Sequence, residues 1–263
     1  MRVNTKDFLN KACLTARQAG TVLLEGLGKK HAIKYKARKN LVTEMDKKSE
    51  GLIIKSLRRD FPSHSILSEE IGLLGRSQSE YKWVIDPLDG TTNYAHAFHF
   101  FAVSIALMKN DEMFAGVVYD PVRDEMFRAL KGMGAYLNNK RIRVSSINTI
   151  KESLLSTGFP YKLGKEMRDN IGYFKSFMLK AQAIRRPGSA SLDLCYVASG
   201  RFDGFWEMEL NPWDTAAGAL IVQEAAGTVT DFKGGCFNPF MKRVLASNSI
   251  IHAQMLAVLR GGK

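Results

Sequence analysis

Residues 83–96 read WVIDPLDGTTNYAH. An apolar run ends in two aspartates three positions apart, and the next residues have the composition of a helix start. Trp83, Val84 and Ile85 read as the interior of a buried strand, with Asp86 at its C-terminal end. Pro87 has no N–H to give a ladder, so regular pairing is expected to stop there. Asp89-Gly90-Thr91-Thr92 then supplies helix-capping residues and a glycine that allows close backbone approach. The expected product is a turn from which two carboxylates project beside a fan of backbone N–H groups. Such a turn can hold a divalent cation on one side and an anion on the other. Taken alone it reads equally well as an aspartate-rich turn with a helix cap.

Three further junctions carry acids. SILSEE, residues 65–70, puts Glu69 and Glu70 at the C-terminal end of another apolar strand. NPWDTAAGALIVQEAAG, residues 211–227, puts Asp214 where a strand gives way to a small-residue helix. LVTEMDKKSE, residues 41–50, puts Asp46 in the first turn of a helix. Singly, Asp46 and Asp214 read as capping carboxylates and Glu69 as a solvated edge. Together they are ends of apolar elements, and such ends gather on one rim of a layered fold, as ligand sites do in open α/β sheets. Two carboxylates ~4 Å apart at an effective dielectric of ~20 repel by about 4 kcal/mol. A chain that assembles several needs cations or must protonate some of them. Oxygen ligands without His or Cys point to a hard metal, Mg²⁺ first, with Ca²⁺ or Mn²⁺ as alternatives. Mg²⁺ held by few carboxylates commonly shares phosphate oxygens with a substrate, and two such ions suit in-line displacement at phosphorus. No GxSxG and no Walker A loop is present, so a covalent serine mechanism and nucleotide-loop chemistry are not indicated.

The totals set the frame. A chain of 263 residues, 45% apolar and 24% charged, makes one large domain or two small ones and buries a core without staples. No apolar run approaches the ~18–20 residues that cross a bilayer, so no membrane partner is expected. The start, MRVNTKDFLNKA, lacks an apolar signal core. Cys13, Cys195 and Cys236 are isolated and odd in number, arguing against disulfides and zinc, and are expected to be small core-type residues in a reducing cytoplasm. The net charge of +12 favours anionic partners. Part of it lies in GKKHAIKYKARKN, residues 28–40, with six basic residues and no acid. That run reads as a solvated basic loop, or as a flap near an anion or RNA.

Periodicity predicts a helix with Phe8, Leu9, Ala12, Ala16, Ala19, Val22 and Leu23 on one face, capped at Asn4 or Thr5 and ending near Gly26 or Gly28. A second helix is expected over 45–60, with Ile53, Ile54 and Leu57 inward. Strands follow in HSILSEE, YKWVID, FFAVSIALMK, MFAGVVYD and EMFRAL, with Asn110-Asp111-Glu112 as a hairpin connection. Beyond about residue 150 the pattern alternates: strands in SLLSTGF, QAIRR, DGFWEM, GTVTDF and RVLASN, helices over 165–180, 189–199, 213–226 and 249–260. The fold class is α+β / α/β, with an N-terminal half over 1–148 that holds most of the acids and a C-terminal half over 149–263.

WVIDPLDGTTNYAH and WDTAAGALIVQEAAG resemble the two signatures of the inositol monophosphatase family, with VTEMD and SEE where that family has its other acidic elements. Order and spacing agree from about residue 5 to 258, and RRPGSASLDLCYVASGRFDGFWEM resembles the bacterial inositol-1-monophosphatase branch. The resemblance implies a layered α-β-α-β-α sandwich, Mg²⁺ at two or three ions per site, inhibition by Li⁺, and a homodimer. It implies Glu69, Asp86, Asp89, Asp214 and the Leu88 carbonyl as metal ligands. Thr91 with Asp46 would orient and deprotonate the attacking water, with Glu69 in the catalytic set. The Gly90 and Thr91 N–H groups would hold the phosphate. Glu207, Asp214 and the backbone at Ser189 and Ala190 would meet the rest of a small phosphorylated polyol.

Some positions depart from that pattern or stay open. Asn40 stands where relatives carry an aspartate, and Lys34, Lys36 and Lys39 compete for one flap-lysine role. Glu209 is expected on the strand face opposite Glu207 by period-two alternation. Arg185 and Arg186 read either as phosphate contacts or as a strand end paired with an acid. His64, His96 and His99 lack zinc-type spacing and are expected as loop or rim residues rather than ligands, and Trp206 and Trp213 as packing. The leading expectation is hydrolysis of inositol monophosphate. Alternatives are fructose 1,6-bisphosphate or a nucleotide 3′-phosphate, or a binding role with RNA polymerase or the ribosomal RNA machinery.

Overall fold

The apolar stripe of residues 8–23 winds into α1 (Thr5–Gly26), burying Phe8, Ala12, Ala16, Ala19 and Leu23 against the body of the protein. In this computed structural model residues 5–29, 33–37, 40–76, 79–160 and 164–261 are described, those at 5–6, 33–37 and 40–42 as backbone only. Asn4, Lys39 and the side chains of Lys34, Lys36 and Asn40 lie outside the described residues. After α1 come a two-stranded ribbon, β1 (Ile33–Ala37) and β2 (Asn40–Thr43), and α2 (Glu44–Asp60). Then follow β3 (Ser65–Ser68), β4 (Gly72–Leu74), β5 (Tyr81–Asp89), α3 (Thr91–Ala95), β6 (Ala102–Lys109), β7 (Glu112–Asp120), β8 (Glu125–Leu130), β9 (Ala135–Leu137) and β10 (Lys140–Ile142). The rest of the chain is β11 (Leu154–Thr157), α4 (Lys165–Met178), β12 (Ala183–Arg185), α5 (Ala190–Ala198), β13 (Gly204–Met208), α6 (Pro212–Glu224), β14 (Thr228–Thr230), β15 (Arg243–Ser247) and α7 (His252–Gly261).

Eight strands form one sheet in the order β10-β9-β8-β7-β6-β5-β3-β4, and five form another in the order β12-β11-β13-β15-β14. Helices α1 and α2 cover the outer face of the large sheet, α5 and α6 lie between the sheets, and α4 and α7 cover the small sheet. This is the expected α-β-α-β-α layering. Because both faces of the large sheet are covered, its strands are near-continuous apolar runs. In β5, Trp83 and Ile85 face the α1/α2 core while Val84 faces the α5/α6 core. The middle layer fits because α6 is built from small residues. A methyl on Gly116 of β7 would fall 2.8 Å from the Ala217 carbonyl oxygen, so helix and sheet touch backbone to backbone there.

Several local expectations need correction. The β1–β2 ribbon and the short strands β4, β9 and β10 were not legible, being three to five residues long with little alternation. Pairing does not stop at Pro87. The ladder runs from Asp86↔Ser104 to Asp89↔Ala102, with one extra residue on β5, so a bulge absorbs the proline and re-aims the aspartates. The Asn110-Asp111 hairpin is as read: both residues have left-handed φ, which suits a two-residue turn between β6 and β7. His64 lies in the loop before β3, as read, and is packed between the rings of Phe61 and Tyr81. Cys236 is exposed, unlike buried Cys195. Glu209 lies one residue past the end of β13 with φ +63°, so strand alternation does not govern its direction.

Candidate active site

The end of β5, the loop after β3, the start of α6 and the end of β13 open on one cavity of about 330 Å³. Glu69, Asp86, Asp89 and Asp214 line it, with Leu88, Gly90, Thr91 and Glu207. Four acids from distant parts of the chain, carried by three of the four acid-bearing junctions, thus share one space. The donor chemistry fits a hard divalent cation: carboxylates, with no thiol and no imidazole among the lining residues. Among the described residues, however, no group of three or more His, Cys, Asp or Glu side chains is arranged to hold an ion as it stands.

The local folding of each acid is specific. Gly90 has φ +94°, and a methyl there would lie 3.0 Å from the Phe100 carbonyl oxygen, so only glycine makes this turn without displacing the next strand. The helix that follows, α3, has five residues, too short for a substantial macrodipole. Any anion held there would meet the free N–H groups of the first turn. Asp86 Oδ1 accepts from Leu88 N at 3.0 Å, which folds the bulge around it. Asp89 Oδ2 accepts from Ser189 Oγ, Ser191 N and Ser191 Oγ at 2.6, 2.8 and 2.5 Å. Asp214 is the third helical residue of α6 and closes a capping box with Asn211 behind Pro212.

Asp46 does not line the cavity. It is fully buried, and its Oδ2 accepts from Thr43 N and Thr43 Oγ1 at 2.7 and 2.6 Å in the capping box of α2. Its Oδ1 faces Thr91 Oγ1 at 3.0 Å, and the same hydroxyl lies 3.1 Å from the Leu88 carbonyl oxygen. One proton serves two acceptors, so the Thr91 oxygen keeps a lone pair for a donor arriving from the cavity. Ser189 and Ala190 are placed behind Asp89 and do not line the cavity. Ser189 caps α5 and ties Asp89 down.

Burial and mutual repulsion weaken these acids. Burial pushes Asp86 well above the usual carboxylate range, with Glu69, Asp89 and Asp214 adding to the shift. Asp214 is raised by burial, then by Glu69 and Asp89. Asp89 is raised by burial, while its serine donors pull it back. Glu207 is raised by burial, then by Asp214 and Asp89, with Arg186 opposing.

Other residues at the site were not singled out in the sequence. Glu50 is buried in α2 and accepts from Ser68 Oγ, from Glu70 N at 3.1 Å and from Ile71 N at 3.3 Å, anchoring the loop that carries Glu69. Ser49 Oγ donates to the Pro87 carbonyl at 2.8 Å. Asn93 Nδ2 bridges the Phe100 and Pro187 carbonyls at 2.7 and 2.8 Å, joining α3 to the approach of α5. Asp193 is buried with no hydrogen bond to Oδ1 among the described residues, and is raised by burial, then by Glu207 and Asp89. Phe159, Glu166 and Lys242 also line the cavity. A polar residue inside a helix carries little signal of this kind, because its partner is known only after folding. Arg186 is exposed with its guanidinium over Phe159 at 5.6 Å, and His96 and His99 are exposed away from the lining.

The family model described as the inositol monophosphatase family matches residues 4–262. The chain belongs to the inositol monophosphatase family. It is 43% identical over 254 residues to the Neisseria meningitidis serogroup B protein named Putative Nus factor SuhB, covering 96% of this chain and 97% of that one. It is 41% identical over 260 residues to the Arabidopsis thaliana protein named Phosphatase IMPL1, chloroplastic, covering 97% of this chain and 70% of that one. Among solved structures, the inositol monophosphatase from Anabaena superposes with a TM-score of 0.89 at 42% identity, covering 97% of this chain and 96% of that one. Family membership supports a phosphatase, and no helix among the described residues is long and apolar enough to cross a membrane.

Proposed function

We propose that this protein is a Mg²⁺-dependent phosphomonoesterase acting on small phosphorylated polyols, inositol monophosphate first. The observation that carries the reading is the gathering of Glu69, Asp86, Asp89 and Asp214 on one cavity beside the Gly90–Thr91 turn. In this reading the four carboxylates and the Leu88 carbonyl hold two or three Mg²⁺ ions, which supply water activation and neutralise the phosphoryl oxygens. Thr91, backed by buried Asp46, orients the attacking water and accepts a proton from it as its own hydroxyl proton passes to Asp46 Oδ1. The N–H groups of Gly90 and Thr91 hold the phosphate from the side opposite the acids. Glu207 accepts hydrogen bonds from substrate hydroxyls, which favours a polyol over a nucleotide. Li⁺ inhibition and a homodimer accompany the reading as family expectations.

The test is phosphate release from inositol 1-phosphate, fructose 1,6-bisphosphate, a nucleoside 3′-phosphate and p-nitrophenyl phosphate, with and without Mg²⁺. Inositol 1-phosphate is expected to give the highest kcat/KM, and Asp86→Asn to abolish release while the fold persists. Full activity in that variant removes the mechanism.

A second reading is a binding role with the transcription or ribosomal RNA machinery, favoured by the net charge of +12 and by relatives named Nus factor. It predicts salt-sensitive co-purification with RNA polymerase or RNA that survives Asp86→Asn.

A further inference from the structure

Glu207 is the fourth residue of β13, directly after Trp206, and its carboxylate rests against Gly158. A methyl placed on the Gly158 α-carbon would overlap that carboxylate, and its three nearest atoms all belong to it. Gly158 has no left-handed φ, so the backbone here does not itself demand glycine. What its missing side chain provides is room for one group.

The position of Gly158 is fixed by a buried network. Thr157 pairs with Trp206 across the parallel β11–β13 ladder. The Thr157 hydroxyl lies 2.6 Å from the Trp206 carbonyl oxygen. Asn170 of α4, with no exposure, donates to the Gly158 carbonyl at 2.6 Å and accepts from the Trp206 indole Nε1 at 2.9 Å. The indole stacks on Phe177 with centroids 4.2 Å apart. One amide, hydrogen-bonded through both its nitrogen and its oxygen, therefore ties together the two strand ends that meet at Glu207.

We propose that Gly158 is a positioning residue for Glu207: its bare α-carbon is the shelf on which the carboxylate sits, and Asn170 holds that shelf in register. Because the shelf acts on the part of the site away from phosphorus, it sets recognition of substrate hydroxyls and not the hydrolytic step. The inference rests on the phosphomonoesterase reading for its consequence, while the shelf itself is a statement about geometry.

The experiment is a double-mutant cycle of Gly158→Ala and Glu207→Ala, assayed with Mg²⁺ on inositol 1-phosphate and on p-nitrophenyl phosphate, which offers no hydroxyls. Gly158→Ala is expected to raise KM for inositol 1-phosphate about tenfold relative to that for p-nitrophenyl phosphate, the loss of one charge-assisted hydrogen bond, with kcat within about twofold. In the Glu207→Ala background the same substitution is expected to have no further effect. An equal penalty on both substrates, or the same penalty in both backgrounds, overturns the proposal. A crystal structure of Gly158→Ala decides it whatever the activity: the Glu207 carboxylate is expected to be displaced, and an unmoved carboxylate overturns it. If the parent hydrolyses neither substrate, the functional reading fails and this structure still decides the shelf. Asn170→Ala leaves two buried partners unpaired and is expected to unfold more readily, so the Gly158 cycle carries the test.

Discussion

Thr91 Oγ1 lies 3.0 Å from Asp46 Oδ1, although 45 positions separate them in the chain. The aspartate that caps α2 is thereby also the partner of the first residue of α3. Thr91→Ala is expected to lower kcat by about 10²–10⁴-fold, and Thr91→Ser to keep most of it. Asp46→Ala combines that loss with a weakened helix cap of ~1 kcal/mol. Steady-state kinetics alongside thermal melts separates the two effects.

Burial of Asp86, and then its crowding by Glu69, Asp89 and Asp214, disfavours its charged form in the metal-free protein. Asp86→Asn removes one buried charge and is expected to raise the metal-free melting temperature by roughly 2–6 °C, about 1–2 kcal/mol. Mg²⁺ is expected to raise the melting temperature of the parent and to have a much smaller effect on the variant. Calorimetry in chelator and in Mg²⁺ reads both, independently of turnover.

Glu209 lines the cavity in a left-handed conformation, its N–H donating to the Lys242 carbonyl oxygen at 2.6 Å. A glutamate carries steric strain there that glycine does not. Glu209→Gly is expected to stabilise the protein by about 1 kcal/mol, a rise of ~2–4 °C on thermal unfolding. No change, or a loss, would mean that the relief of strain is offset by the greater backbone freedom that glycine gives the unfolded chain.

His252 is buried, with Nδ1 2.8 Å from Ser247 Oγ and Nε2 2.9 Å from Thr230 Oγ1. Burial lowers its pKa below the ordinary value near 6.5. The unfolded chain therefore binds the proton more tightly, so this contribution is full above pH 6.5 and declines as pH falls below it. His64, lowered by burial among aromatic rings, acts in the same direction. His252→Gln is expected to flatten the decline in chemical-denaturation stability between about pH 6.5 and 5.

Legibility differed by residue for definite reasons. Asp86 and Asp89 stood out because a local pattern, apolar strand then Pro and Gly, is enough to place acids at a strand end. Glu69 and Asp214 were found the same way, and the layered architecture followed from the periodicities of the long elements. Glu50, Asn170 and Gly158 gave no signal, since what each does depends on a partner distant in sequence. The Ser189 hydroxyl, which was read only for its backbone, supports Asp89 because the start of α5 meets that carboxylate. Glu209 escaped the alternation rule because β13 ends at Met208 and the next residue turns left-handed.

The amino-acid sequence by itself determined the order of the long elements, the layered class, the family and the acids that end each apolar run. The elements, the class and the acids follow from short-range regularities, hydrophobic period, proline and glycine punctuation, and capping chemistry, while the family follows from the resemblance of whole motifs to known signatures. Only the tertiary structure decided which acids share the cavity, which sit beneath it, and what holds each in place. Those outcomes depend on packing two sheets and three helical layers together, and distances between distant residues exist only once that packing is complete.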